Sequence, residues 1–305
     1  MEILTSLNDF KYKHKNVAIT IGNFDGIHLG HQALIKDIMK ITQERKETLV
    51  VCTFVPHPKF ILTNTQSFLL NGYLERRELL QTLGVHFLLE FEFNRDFSTQ
   101  SPNDFLNNHI AKFPFVKSLY LGHDFAFGAN KAGDHDFVKQ YCNQHKINCF
   151  LEKEFSPNNS IKVSSTTIRN HLLNGEVNKA NDLLGRNFYV TGRVIKGMGR
   201  GKTIGFPTAN ILFSSDRLIP KTGVYKSLVK FNGLNYNSIT NIGYNPTFNN
   251  ETSINFETHI FDFDNDIYGD ELTVELIRFI RSEKKFNNVN ELISQIKNDI
   301  KEVKK

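Results

Sequence analysis

Val17-Ala18-Ile19-Thr20-Ile21-Gly22-Asn23-Phe24-Asp25-Gly26-Ile27-His28-Leu29-Gly30-His31 is the stretch that decides the fold. Its first five residues form an apolar run, the pattern of a buried strand, and the periodic stretch 33–41 beyond it predicts a helix. The segment between them is a strand-to-helix turn. Gly22, Gly26 and Gly30 admit a close backbone approach that a Cβ obstructs, and amide groups at a helix start favour an anion. Phosphate is the natural guest. His28 and His31, three residues apart, fall on one face of a helical first turn, where both imidazoles can bond oxygens of one triphosphate. Taken alone, two such histidines also describe a plain surface turn. Strand, glycine turn, Asp25 and helix in this order favour the phosphate reading.

Strand-like and helix-like segments then alternate over 48–54, 73–83, 85–93, 102–111, 116–121, 136–145 and 147–155. This rhythm predicts an α/β domain whose mostly parallel sheet is covered by helices. Ligands of such sheets bind outside the carboxyl ends of the strands. Three loops fall there: Gly22 to His31, Val55-Pro56-His57-Pro58, and Gly122 to Gly128. Prolines stiffen the backbone around His57, and Asp124 sits beside Phe125 and Phe127, aromatics able to flank a planar ring. Each loop is also readable as an ordinary connection. Further on, Ser164-Ser165-Thr166-Thr167-Ile168-Arg169 sets hydroxyls at a helix start, more than an N-cap needs. Arg169 presents a fork of donors suited to phosphate oxygens.

The 305 residues exceed one average domain, and 27 phenylalanines without tryptophan supply a sizeable core. The formal net charge of +5 suits polyphosphate ligands or weak RNA contact, and is met equally by lysines scattered over a solvated surface. Nucleic acid is not an expected partner. Cys52, Cys142 and Cys149 lack metal-site spacing and read as buried or inert thiols in a reducing cytoplasm, with no zinc site. No apolar run approaches the length of a membrane helix, and the opening residues lack a signal-peptide pattern, so a soluble cytoplasmic protein is expected.

From Arg186 the pattern changes to short alternating runs over 188–195, 208–213, 224–231, 237–242, 253–263 and 271–280, closed by a helical stretch, 289–303. A small antiparallel barrel follows. The expected domains are 1–185 and 186–305. The segment from Gly197 to Asn210 invites misreading as a P-loop, but that motif needs glycine at position 196, which is Lys196. Thr208 and Asn210 share a face if they open a strand, offering oxygens that a phosphate-bound Mg²⁺ accepts.

The first stretch resembles the nucleotidylyltransferase superfamily, whose GxFDxxHxGH pattern holds ATP or CTP; the SSTxxR string at 164–169 is another of its marks. The segment 197–210 resembles the riboflavin kinase signature. With Asn241 to Phe248, Phe256-Glu257-Thr258-His259 and Arg281 to Phe286 also in family order, the resemblance to prokaryotic bifunctional riboflavin kinase/FAD synthetases covers essentially the whole chain. It implies a Rossmann-like nucleotidylyltransferase domain followed by a mainly β kinase barrel with a C-terminal helix. It also implies riboflavin, FMN, FAD and ATP as ligands, with ATP as co-substrate and Mg²⁺ as cofactor. Gly22, Asn23, Phe24, Asp25, Gly30, Ser164, Ser165 and Thr166 would bind one ATP; Gly197, Gly199, Gly201, Lys202, Thr208 and Asn210 would bind another, the last two touching the metal. Glu257 matches the kinase base. His28, His31 and Arg169 would stabilise charge during adenylyl transfer, while His57, Asp124, Phe125 and Arg281 fall to the flavin. Two rivals are a chain with one active half and a flavin-sensing regulator without turnover.

Overall fold

The computed structural model describes residues 1–122, 125–151, 163–197, 199–246 and 252–304. Two compact units divide the chain: Met1–Gln66 with Gly72–Ser164, and Ser67–Asn71 with Ser165–Lys305. The first contains, in order, β1 (Glu2–Leu4), β2 (Asn16–Ile21), α1 (Leu29–Glu44), β3 (Glu47–Val55), α2 (Pro58–Leu62), α3 (Tyr73–Thr82), β4 (Phe87–Glu92), α4 (Arg95–Ser98), α5 (Pro102–Leu106), β5 (Val116–Leu121), α6 (His135–His145) and β6 (Asn148–Leu151). The second contains α7 (Ser165–Leu173), α8 (Val177–Leu184), β7 (Phe188–Ile195), α9 (Arg200–Thr203), β8 (Ala209–Leu212), β9 (Gly223–Phe231), β10 (Leu234–Pro246), β11 (Thr252–Ile260), β12 (Glu271–Arg281) and α10 (Val289–Val303).

In the first unit the sheet order is β1-β4-β3-β2-β5-β6, and every pairing is parallel. The runs that form β2, β3, β4 and β5 are buried on both faces, as a helix-covered parallel sheet requires, while the edge strand β6 is partly exposed. The order reverses at β2, whose neighbours are β3 and β5. A crevice opens outside the carboxyl ends at such a switch point, and Gly22 to His28 leave β2 there. One face carries a phenylalanine-rich core that includes Phe54, Phe91, Phe93, Phe105 and Phe127. On the other, Phe24 and Ile27 of the turn pack with Ile35 of α1 and Leu80 of α3. The turn is thereby pinned into the core at two points. The expected helix 102–111 is α5 followed by a π-type turn over Asn107–Ala111, and the expected strand 147–155 runs past β6 beyond the described residues.

In the second unit six strands close a barrel in the order β10-β11-β8-β7-β12-β9, antiparallel throughout. Strands alternate inward and outward residues; Phe188, Val190, Val229, Leu272, Val274 and Leu276 fill the interior. A polar thread crosses it. Ser227 Oγ lies 2.7 Å from both Ser238 Oγ and Thr240 Oγ1, and Thr240 Oγ1 lies 2.9 Å from Thr258 Oγ1, all four residues fully buried. Each hydroxyl can donate one bond and accept another, so three bonds link the four hydroxyls and each has a partner within the thread. Outside, Val303 and Ile300 of α10 cover Val224, Ile239, Phe261 and Ile280. Arg281 clamps this helix through bonds of 2.8 to 3.0 Å to both carboxylate oxygens of buried Asp299.

Thr240→Val keeps the side chain's shape but strips two neighbouring hydroxyls of their shared partner. The expected cost is about 1–3 kcal/mol, read as a lower urea midpoint by circular dichroism; an unchanged midpoint would show that the thread contributes nothing.

Candidate active sites

The first site is built on the turn after β2. Gly22 N still donates to Cys52 O at 3.0 Å, extending the sheet by one bond. The Asn23 carbonyl then accepts from Thr53 Oγ1 at 3.3 Å and from an Arg76 guanidinium N–H at 3.2 Å. Arg76 is buried and paired at 3.2 Å with Glu90, itself bonded to Arg77. Burial pulls the Arg76 guanidinium below its usual range, while Glu90, Tyr73 and Asp25 act against that fall. Asp25 is only 4% exposed, so Arg76 supplies its nearby positive field.

Phe24 and Ile27 adopt φ of 48° and 37°, left-handed conformations that cost bulky residues of order 1–3 kcal/mol each. Burial of both side chains, at 2% and 1% exposure, opposes that cost. The turn delivers His28 to the N-cap of α1, where its Nδ1 accepts from the His31 backbone N–H at 3.3 Å. The two imidazoles stack, with centroids 3.7 Å apart and planes 15° from parallel, and Phe24 meets His31 edge-on. A Cβ on Gly30 would stand 3.2 Å from the His28 ring, so Gly30 is the seat of that imidazole. It would also stand 3.7 Å from the Val163 carbonyl, which brings the backbone just before Ser164 against the helix start.

His57 repeats the arrangement at α2. It is buried, its Nδ1 accepts from Lys59 N at 3.2 Å, and its own N–H donates to Tyr73 Oη at 2.9 Å. Phe125 stacks on Phe127 at 5.3 Å, and Phe127 packs on Phe105. Asp124 lies outside the described residues. Ser165, Thr166 and Arg169 belong to α7 of the second unit, where Arg169 Nε donates to Phe68 O at 2.9 Å and the guanidinium lies over the Phe68 ring.

The second site lies on the outer face of the barrel. β8 pairs Asn210 with Ile195 of β7 on one side and with Glu257 of β11 on the other, and Glu257 pairs with Asn241 of β10. Asn210, Glu257 and Asn241 thus stand on one rung with neighbouring Cβ atoms about 5 Å apart. The glycine segment closes on them. A Cβ at Gly197 would fall 2.3 Å from the Asn210 amide nitrogen, so a side chain there would push the Asn210 amide from its place. A Cβ at Gly201 would meet the Phe206 carbonyl at 2.4 Å and the Thr208 hydroxyl at 3.2 Å, placing α9 over both. Gly199 is left-handed, with φ 69°, and Lys202 is exposed within α9. His259, two residues beyond Glu257, donates from Nδ1 to Pro207 O at 2.7 Å and ties β11 to the loop before Thr208. Arg281 is engaged by Asp299, as described for α10.

Sequence reasoning assigned no role to Arg76, Asn241 or His259. Arg76 carries no motif signal. Asn241 and His259 acquire their roles from strand register and a loop contact, neither legible in local periodicity.

A family model described as FAD synthetase matches residues 10–167, and one described as riboflavin kinase matches 184–305. The bifunctional riboflavin kinase/FMN adenylyltransferase of Listeria monocytogenes is 37% identical over 93% of this chain and 90% of that protein. Its Bacillus subtilis counterpart is 36% identical over 96% and 93%. A crystal structure from Streptococcus pneumoniae, described as a macrolide-efflux protein, superposes with a TM-score of 0.87 at 30% identity, covering 99% of this chain and 98% of that one. Among the described residues no helix is long and apolar enough to cross a membrane. The switch-point turn, the glycine-covered barrel rung and these full-length likenesses agree, and the chain belongs to the bifunctional riboflavin kinase/FMN adenylyltransferase family.

Proposed function

We propose that residues 186–305 phosphorylate riboflavin through the rung of Asn210 and Glu257, and that residues 1–185 adenylylate the resulting FMN through the turn after β2. The observation that carries the kinase assignment is the register Asn210↔Glu257 beneath Gly197. It sets a carboxylate beside an amide that the glycine segment covers. The riboflavin 5′-hydroxyl attacks the γ-phosphorus of ATP, the bond to the bridging oxygen breaks, ADP leaves, and Glu257 takes the hydroxyl proton. A positioned base contributes about 10²–10⁴-fold.

The Thr208 hydroxyl and the Asn210 amide oxygen are hard donors, and the segment that covers them leaves a phosphate chain to supply further oxygens, so the pair fits Mg²⁺. Bound there, Mg²⁺ neutralises phosphoryl charge. Gly197, Gly199, Gly201 and Lys202 line the phosphates, and His259 and Asn241 hold the loop and the rung around the base. Arg281 serves the flavin side by fixing α10 through Asp299.

In adenylyl transfer the FMN phosphate is already an anion, so no protein base is needed. It attacks the α-phosphorus of ATP, the bond to the β-phosphate breaks, and pyrophosphate leaves. Backbone amides at the start of α1, with Gly22, Asn23, Phe24, Asp25 and Gly30 shaping the turn, bind the triphosphate. His28 and His31 donate to it. Ser164, Ser165, Thr166 and Arg169 are assigned to ATP and departing pyrophosphate by their motif, and His57, Asp124 and Phe125 to the flavin by theirs. Dependence on ATP and three free cysteines support a cytoplasmic location.

Purified protein given riboflavin, ATP and Mg²⁺, with FMN and FAD resolved by chromatography, tests the assignment. His28→Ala or Arg169→Ala is expected to abolish FAD formation while FMN formation survives; loss of both at unchanged stability contradicts independent sites. Glu257→Gln is expected to slow FMN formation by about 10²-fold or more and to spare conversion of supplied FMN to FAD. Gly197→Ala should follow the same pattern by displacing Asn210, and a normal kinase rate in it removes the proposed seat.

A further inference from the structure

Two short segments of the first unit mix lysine with aromatic residues: Lys11-Tyr12-Lys13-His14-Lys15 before β2, and Lys112-Phe113-Pro114-Phe115-Val116-Lys117 entering β5. Parallel pairing of these strands sets the segments side by side, with Val17 opposite Val116 and Val17 N donating to Phe115 O at 2.8 Å. Residues of both line a cleft of about 530 Å³. Its cations are Lys13, Lys15, Lys112 and Lys117, with His14 beside them, and no carboxylate lines it. The acids that adjoin its wall are turned elsewhere. Asp9, next to Asn8, accepts from Thr5 and Ser6, and Glu47, opposite Asn16 in the sheet, accepts from Arg45 and Ser118. Among the described residues none of the four lysines pairs with a carboxylate.

We propose that this cleft binds a chain of condensed phosphates, the chemistry shared by inorganic polyphosphate and a nucleotide's triphosphate, at a site apart from both catalytic ones. Four ammoniums gathered without a counter-charge repel one another, and a ligand with several negative charges removes that repulsion. The neighbouring groups hold the cations in place. Lys15 Nζ lies 5.0 Å from the centre of the Tyr12 ring and Lys112 Nζ 6.0 Å from that of Phe113. Lys117 Nζ donates to Pro114 O at 2.7 Å, which uses one of its three donors and leaves the others for a ligand. Part of the ordering cost of binding is thereby met in advance.

The rings form a floor rather than a platform. Phe10 is fully buried, Phe113 is 8% exposed, Phe115 packs against both, and Tyr12 lies beneath Lys15. Little ring face is left for a stacked base, on which single-strand nucleic-acid binding depends. Recognition therefore falls to charge, and the volume suits a compact ligand. β2 runs from Asn16 at the cleft to Ile21 before the turn that carries His28, a span of about 20 Å for six residues. A ligand in the cleft thus stands clear of that turn.

The test treats the folded full-length protein briefly with an amine-acylating reagent and reads the labelling of each lysine by peptide mass. Inorganic triphosphate is expected to suppress labelling of Lys13, Lys15, Lys112 and Lys117, with half-protection about tenfold or more below the concentration needed with orthophosphate at equal ionic strength. Exposed Lys297 of α10 should label unchanged. Equal protection by ATP supports the proposal with a nucleotide as one source of the chain; protection by inorganic triphosphate without ATP supports it with the inorganic chain alone. Lys13→Gln combined with Lys117→Gln is expected to lose the protection of Lys15 and Lys112 while FMN and FAD formation persist, which shows that the variant is folded. Equal protection by orthophosphate, protection by ATP or a short oligouridylate but not by inorganic triphosphate, or protection that persists in the double variant would each overturn the proposal.

Discussion

Closure of the barrel rests on a four-residue strand. Among the described residues β8 alone bridges β7 and β11, and without it both would present unpaired edges. Its register is fixed by alternation: Ala209 and Ile211 are buried, so Asn210 and Leu212 face out. A slip of one residue would turn Asn210 into the core and two apolar side chains onto the face that carries Glu257. The interaction that closes the fold is therefore also the one that sets Asn210 beside Glu257. The glycine segment adds a second constraint, since a Cβ at position 197 would displace the Asn210 side chain that it covers. Packing and chemistry draw on the same few residues.

The first unit meets a comparable demand with charge. Its turn is strained at Phe24 and Ile27 and exposes carbonyls that no ladder satisfies. Arg76 answers both, bonding the Asn23 and Phe54 carbonyls while Glu90 neutralises it. A buried cation costs several kcal/mol unless its partners are well placed, and here carbonyls and a carboxylate surround one guanidinium. Such a pair adds little net stability against an apolar substitute. Its contribution is specificity, because this arrangement of the turn engages both terminal nitrogens of the guanidinium.

Much of this was legible in the sequence, and the parts that were not share a cause. The strand at 17–21, the parallel alternation and the change to short strands after Arg186 follow from local periodicity, and the structure bears out the α/β sheet followed by a closed barrel. The start of α1 was placed too late, because apolar periodicity begins at Ala33 and a histidine is an uncommon N-cap. The π-type turn at Asn107–Ala111 carries no local signal. Arg76 beneath Asn23 and Asn241 on the rung of Glu257 both depend on segments meeting across the fold. Periodicity constrains what a residue faces, not which residue faces it.

The caps at α1 and α2 also refine what their histidines can do. An Nδ1 that accepts a backbone N–H is unprotonated, so the neutral ring carries its proton on Nε2. For His28 and His57 the geometry therefore favours a neutral donor over a fixed imidazolium, since protonating Nδ1 would break the cap and set a positive charge against the positive helix end. His28 is thus suited to hydrogen-bond a phosphate oxygen at Nε2 without holding a permanent charge. The stacked His31 ring at 3.7 Å adds to that preference, because two imidazolium rings in parallel contact would repel. In the proposed adenylyl transfer, stabilisation of the triphosphate would then fall to oriented N–H groups, the helix amides and both imidazoles together, whose direction is set before the nucleotide arrives.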